Sequence, residues 1–358
     1  MYSDTDTNAD VALAIDIGGT KMAAGFVGID GVVLEQRSIP TFAGRFDGAG
    51  PDGAGPDGTR RDGAVAGEAL WRSLAALIDD VMSAAPRHRL VGVGVGCAGP
   101  VDVDKATVSP VNIPGWRGFP LAERLACHLP GLPVRLAGDG MCAAAGEHWH
   151  GAGRGVDDVL VVVVSTGVGG GLIQSGRLFA GPTGNAGHVG HMVVDLDGDP
   201  CPCGGRGCVE AIASGPSMVG WALRSGWRPP NGQPSAVDLA DSARAGDRTA
   251  GLAFARAGRA LGAGVVSAAA LCDLSLVVLG GGVSRAADVL LPPVRAGLRE
   301  YGRLGFLRDV TVREARLGVA AGLVGAAALV LAPGAYATAG VVEVAPAPAH
   351  ARPPIAAI

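Results

Sequence analysis

The chain is poor in charge and in aromatic rings. Charged residues make up 17% of its 358 residues and aromatics 4%. The formal net charge is -4, and no basic bias points to a nucleic-acid backbone, so no nucleic-acid partner is expected. No CxxC pair is present, which excludes the thioredoxin type of redox motif. Seven cysteines, an odd number in a large chain, make no disulfide framework and suit a reducing compartment. The opening MYSDTDTNAD lacks the basic and apolar regions of a secretory signal, so the expected location is cytoplasmic. Leu317 to Val342 carries no charge and is long enough for a membrane span. It is rich in Ala and Gly, however, and Pro333–Gly334 interrupts it. A buried helix from about Leu317 to Leu331 is the better reading, with no membrane partner.

Glycine is abundant, at 59 residues, and falls repeatedly at the ends of apolar runs. Val11–Ile17, Val91–Cys97, Val159–Val164 and Leu274–Leu279 read as buried strands closed by glycine turns. Met22–Val27 and Val32–Glu35 read as antiparallel strands joined around Asp30–Gly31. Glu68–Ala84, Met141–Trp149 and Leu252–Leu271 have helical spacing. Residues 44–63 repeat GAGPDG with almost no apolar side chain, and are expected to be a disordered surface insertion. Strand-turn-helix elements in both halves predict an α/β protein of two lobes with a cleft between them. The expected division is 1–137 for the first lobe and 138–316 for the second, the latter carrying a loop at 188–210. A helix at 317–332 returns to the first lobe, and 333–358 is a loose tail.

Asp16-Ile17-Gly18-Gly19-Thr20-Lys21 follows the first strand directly. Glycines there let backbone N–H groups approach phosphate oxygens without interference from a Cβ. Thr20 adds a hydroxyl and Lys21 a cation, and Asp16 can hold a metal ion or its water shell. A plain hairpin turn is the other reading, and the GxxxxGK[ST] pattern of a P-loop is absent. Ser165-Thr166-Gly167-Val168-Gly169-Gly170-Gly171 follows the Val159–Val164 strand in the same way. Two such turns can grip a phosphate chain from both sides, and Gly280-Gly281-Gly282 can let an adenosine lie against backbone. Gly187-His188-Val189-Gly190-His191 precedes Cys201-Pro-Cys203-Gly-Gly-Arg-Gly-Cys208-Val-Glu210. One histidine and three cysteines supply the four donors of a closed tetrahedral zinc site. Asp139 stands between glycines just before a helix, as an N-cap or as a general base. Asn112, in Asn112-Ile-Pro-Gly-Trp116, is a turn former or a ligand.

Taken in order, these motifs resemble the ROK family of sugar kinases and related repressors, over about residues 11–331. The resemblance implies a two-lobed hexokinase/actin-like (ribonuclease H-like) ATPase fold closing over ATP, Mg²⁺ and a sugar. It implies that Asp139 is the catalytic base and that Asp16, Gly18, Gly19, Thr20, Lys21, Ser165, Thr166, Gly167, Gly169 and Gly170 serve ATP. It places Asn112, His188, His191 and Glu210 at positions that meet the sugar, and His191, Cys201, Cys203 and Cys208 at a structural Zn²⁺. The family usually has Asn where Gly138 stands, and Glu, a sugar ligand in glucokinases, where His188 stands. Both departures lie in the acceptor pocket and neither touches the ATP turns.

The expected activity is therefore transfer of the γ-phosphate of ATP to a primary hydroxyl of a small polyol. A C7-cyclitol of valiolone type, as in aminocyclitol antibiotic biosynthesis, or a modified hexose ranks first. N-acetylmannosamine ranks second and glucose third. The expected assembly is a homo-oligomer, dimer or tetramer. A DNA-binding repressor is disfavoured because only fifteen residues precede Asp16. A non-catalytic sugar-binding protein is disfavoured by Asp139 and both phosphate turns.

Overall fold

A computed structural model of the chain describes residues 9–41, 58–84, 88–230, 232–282 and 286–346. It divides into two compact units. Unit 1 comprises Met1–His150, Arg177–Ala186 and Ala320–Ile358, and unit 2 comprises Gly151–Gly176 and Gly187–Val319.

Unit 1 is built on a six-stranded sheet in the order Val342–Val344, Val134–Gly138, Arg89–Cys97, Asp10–Ile17, Lys21–Gly28, Val33–Pro40. The strands Val134–Gly138, Arg89–Cys97 and Asp10–Ile17 run parallel, and the outer strands pair antiparallel. Alternation along Arg89–Cys97 separates its two faces, because successive strand side chains point opposite ways. Val93, Val95 and Cys97 join Leu13, Ile15, Leu74, Ile78, Leu121 and Leu125 in one core. Gly92, Gly94 and Gly96 make the other face, level with Ala12, Ala14 and Asp16 of the neighbouring strand. That face has almost no side-chain relief, so helices reach its backbone. A Cβ on Gly94 would strike the Ala326 carbonyl, and one on Gly96 would lie 3.1 Å from Cys142 Sγ. The helices Ala321–Leu331 and Asp139–Trp149 pack on this face and against each other. Their contact is backbone on backbone: a Cβ on Gly146 would come within 2.5 Å of the Ala321 carbonyl oxygen.

Unit 2 has strands in the order Val168–Gln174, Val159–Val164, Leu276–Gly280, Thr311–Glu314. The first pair is an antiparallel hairpin and the other two pairings are parallel. Val159–Val164 is buried along almost its whole length, as a continuous β-branched run requires. The helices Arg248–Cys272 and Ala287–Tyr301 cross where Gly262 meets Gly297; a Cβ on Gly262 would lie 2.8 Å from Gly297 Cα. Leu160, Val162, Phe254, Leu261, Val277, Leu290 and Leu298 share the core.

Three expectations are corrected. The helix Asp139–Trp149 belongs to unit 1, so the division falls after His150 instead of after 137; its packing on Ala321–Leu331 holds it there. The helix expected from Glu68 begins at Gly58, which takes 58–63 out of the proposed insertion, while 42–57 lie outside the described residues. The tail is not loose throughout. Pro333–Tyr336 is helical and Val342–Val344 adds an edge strand to Val134–Gly138, whereas 347–358 lie outside the described residues. Among the described residues, no helix is long and apolar enough to cross a membrane.

Gly325 tests the smooth-face packing. A Cβ there would overlap the Cys142 carbonyl, which cannot move without shifting the helix that begins at Asp139. Gly325→Ala should destabilise by about 1–3 kcal/mol, the usual size of core overpacking. Urea unfolding reads this, and an unchanged midpoint would contradict the close helix contact.

Candidate active site

The predicted site residues fall into two groups, one in each unit. In unit 1, Asp16 and Asp139 stand at the carboxyl ends of parallel strands, where open α/β sheets bind ligands. Asp139 opens its helix after Gly138, and its Oδ1 accepts the Gly140 N–H at 2.7 Å. Burial pushes the Asp16 carboxyl up to about 7; the charge of Asp139 adds to the shift and Lys21 opposes it. Beneath this pair the thiols of Cys97 and Cys142 are buried and held well above the usual thiol range. Gly322, in the first turn of Ala321–Leu331, lies against the Asp16 carboxylate; a Cβ there would sit 2.5 Å from Oδ2.

Gly18 and Gly19 form the turn between the strands Asp10–Ile17 and Lys21–Gly28. The Gly18 N–H donates to the Lys21 carbonyl at 3.0 Å, and the Thr41 hydroxyl donates to the Gly18 carbonyl at 2.9 Å. Thr20 and Lys21 are exposed. Asn112 is exposed against this turn: a Cβ on Gly19 would be 2.9 Å from its Cβ. The Asn112 loop is anchored by Trp116, buried, stacked on Phe119 at 4.5 Å and donating its indole N–H to the Gly67 carbonyl at 3.0 Å.

In unit 2, Ser165 and Thr166 are exposed in the hairpin turn, and space is open beside Gly169. Gly281 adopts φ +93 and presses on the end of Val159–Val164, which brings a Cβ built on Gly282 to 3.4 Å from Ser165 Oγ. The Ser165 carbonyl accepts the Gly215 N–H at 2.9 Å. Glu210 Oε2 accepts the Val168 N–H at 2.8 Å, so this carboxylate braces the turn itself.

His191, Cys201, Cys203 and Cys208 converge, with donor atoms all within 4.8 Å of one another. His191 Nδ1 and Cys201 Sγ are 3.8 Å apart, as are Cys203 Sγ and Cys208 Sγ. That spacing fits the edge of a tetrahedron with Zn–S bonds of about 2.3 Å. Gly207, at φ +67, has the Asp195 carbonyl where a Cβ would stand, so only glycine lets the loop close. His188 is exposed, its ring 6.2 Å from that of His191. It is not among the four clustered donors.

Sequence reasoning did not foresee Gly322, Thr41 or Gly215. Gly322 and Gly325, three apart in an apolar helix, were the available signal of a close backbone approach. Thr41 and Gly215 have none.

The whole is a two-unit α/β protein with polar groups gathered at the carboxyl ends of its parallel strands. Its sequence matches the ROK family over residues 12–332, and the chain belongs to that family. It is 33% identical over 337 residues to a glucokinase of Streptomyces coelicolor, covering 90% of this chain and 98% of that relative. It is 34% identical over 316 residues to an N-acetylmannosamine kinase of Yersinia pseudotuberculosis, covering 88% and 96%. Among solved structures it resembles a ROK family glucokinase from Streptomyces griseus in complex with glucose and AMPPNP. That match has 34% identity and a TM-score of 0.75, covering 89% of this chain and 99% of the other.

The raised Asp16 carboxyl has a sign that can be checked. Its folded pKa, about 7, lies above the ordinary aspartate value of 3.8, so the native state holds this proton more tightly than the unfolded chain. Its contribution to stability is complete below the lower value and is lost as pH rises toward the higher. Asp16→Asn removes that dependence. Melting between pH 4 and 8 in metal-free buffer should fall less steeply for the variant, which should be the more stable protein at pH 8. Parallel profiles would show that Asp16 ionises freely.

Proposed function

We propose that the chain is an ATP-dependent sugar kinase, transferring the γ-phosphate to a primary hydroxyl of a hexose-like or cyclitol acceptor. The observation that carries this reading is Asp139 at the end of the parallel strands with Asp16 beside it, in a chain related to glucokinases and N-acetylmannosamine kinases. Asp139 takes the proton from the acceptor hydroxyl as that oxygen attacks phosphorus. Asp16 would hold Mg²⁺ or its water shell, and the ion would neutralise charge on the phosphates. The Gly18–Gly19 backbone, Thr20, Lys21, Ser165, Thr166, Gly167, Gly169 and Gly170 are assigned to phosphate oxygens, and Gly280, Gly281 and Gly282 leave room for the adenosine. Asn112, His188, His191 and Glu210 meet the acceptor.

Gly138 and His188 favour a C7-cyclitol or modified hexose over N-acetylmannosamine, and place glucose third. A pocket that has lost an amide and a carboxylate leaves hydroxyls of glucose unmatched. Packing does not exclude a side chain at 138: it is extended, at φ -61 and ψ 146, and its Cβ would meet only Met141, at 3.6 Å.

Asp139→Asn should keep the fold and ATP binding yet lose about 10² to 10⁴ in rate. Wild-type turnover in that variant would remove Asp139 from the mechanism. Alongside it, kcat/KM should be compared for valiolone, N-acetylmannosamine and glucose, in wild type and in Gly138→Asn with His188→Glu. The double variant should gain on glucose. A wild-type preference for glucose of about tenfold, or about 1.4 kcal/mol, would overturn the acceptor ranking.

The cysteine loop is proposed as a structural zinc site with no open position. Elemental analysis should find about one zinc per chain, as four donors imply. Cys203→Ser should lose the metal and lower the melting temperature. A metal-free protein with full activity and stability would refute the assignment.

A further inference from the structure

Unit 2 carries a concavity that holds none of the candidate active-site or cysteine-loop residues described above. It has a volume of about 790 Å³ and is formed by the last turns of Ala287–Tyr301, the loop that follows, and the start of Thr311–Glu314. Arg295, Arg299, Arg303 and Arg308 all line it. Arg295 and Arg299 are one helical turn apart and share a face. Arg295 reaches across and donates to the Val312 carbonyl at 3.5 Å, and Arg303 donates back to the Arg299 carbonyl at 3.4 Å. The floor is apolar, from Leu298, Leu307 and Val312, all buried.

The charge in the hollow is unbalanced, whereas several arginines elsewhere are paired. Arg89, Arg124, Arg135 and Arg244 each face a carboxylate at ion-pair distance. The four arginines of the concavity form no ion pair among the described residues, and no acidic residue lines it. Four guanidiniums around one hollow repel one another in an acidic protein of net charge -4. A hollow lined by one sign of charge over an apolar floor focuses its field on an incoming counter-ion. Guanidinium forks match phosphate oxygens in pairs. The volume lies within the range of about 300–1,000 Å³ that small-molecule sites occupy.

We propose that this hollow binds a small, multiply phosphorylated anion, with its phosphates on the arginines and any ring or chain on the Leu298–Leu307 floor. It is a second ligand site, independent of the acceptor and ATP groups.

The test uses inorganic tripolyphosphate as the probe and calorimetry as the readout, with a non-hydrolysable ATP analogue saturating the nucleotide site. Wild type should bind saturably, and raising KCl should weaken binding. Arg299→Gln with Arg308→Gln should bind at least tenfold more weakly, with unchanged melting and unchanged basal kinase rate. Arg303→Gln alone, a milder change, should weaken binding by a smaller factor. Equal affinity in wild type and the double variant would overturn the proposal. So would an absence of saturable binding at millimolar probe, or equally tight binding of a DNA duplex, which would mark the patch as a general polyanion surface.

Discussion

Two carboxylates at the carboxyl ends of parallel strands on either side of Arg89–Cys97 set the terms for unit 1. In water both would ionise near the ordinary carboxylate range. Here burial, with the charge of Asp139 behind it, carries Asp16 up to about 7. Such a group opposes folding at neutral pH, because ionising it in a poorly solvated place is unfavourable. On the proposed reading, that carboxylate is a ready cation ligand beside a proton acceptor. Perturbed groups of this kind gather where chemistry is done. The surroundings hold the carboxylate in place without relieving it. Gly96 pairs with it across the sheet, and Gly322 is the only residue type that leaves room for it at the start of the packed helix.

Glycine does two different jobs in this protein. In the strand Arg89–Cys97 and in the helix Ala321–Leu331 it removes side chains so that backbones touch. The consequence is positional: the helix that begins at Asp139 is pinned by contacts at Gly146 and Gly325, so the carboxylate inherits the rigidity of the sheet. The crossing of Gly262 and Gly297 in unit 2 follows the same logic. At Gly207 and Gly281 the requirement is conformational, since φ is positive and a carbonyl occupies the place of a Cβ.

The strands were legible because their signals are local. Val159–Val164 is a β-branched run with glycine after it, and its predicted limits are those observed. The convergence of His191, Cys201, Cys203 and Cys208 was legible because their spacing in the chain already brings three of them onto one short loop. The boundary between units was not legible. Nothing near 138 says that the next helix will pack on a partner nearly two hundred residues later, and that packing decides the unit to which it belongs. The start of the helix Gly58–Ser83 was missed for the opposite reason: a glycine-rich, charged stretch has weak helical periodicity, and the apolar spacing that begins near Glu68 masked its first turns. Asn112 was left between turn former and ligand, and its exposed place against Gly19 is information that only the third dimension holds.

The cysteine loop and the second glycine turn, separate motifs in the chain, form one mechanical unit. Cys208 is the residue immediately before the short helix Val209–Ala213, and Glu210 stands in its first turn. The Val209 N–H is tied to the Met192 carbonyl at 3.0 Å, one residue beyond His191. From that helix the Glu210 carboxylate accepts the Val168 N–H, while its carbonyl accepts the Ser217 hydroxyl at 3.0 Å. Ser217 belongs to the helix Gly215–Arg224, whose Gly215 N–H holds the Ser165 carbonyl. The turn is therefore gripped at both ends by groups that descend from the cysteine loop. Releasing the four donors would free Cys208, then Glu210, then the backbone N–H groups around Val168. A cation held by those donors, as proposed, would act on the turn through this chain of hydrogen bonds, without touching a substrate.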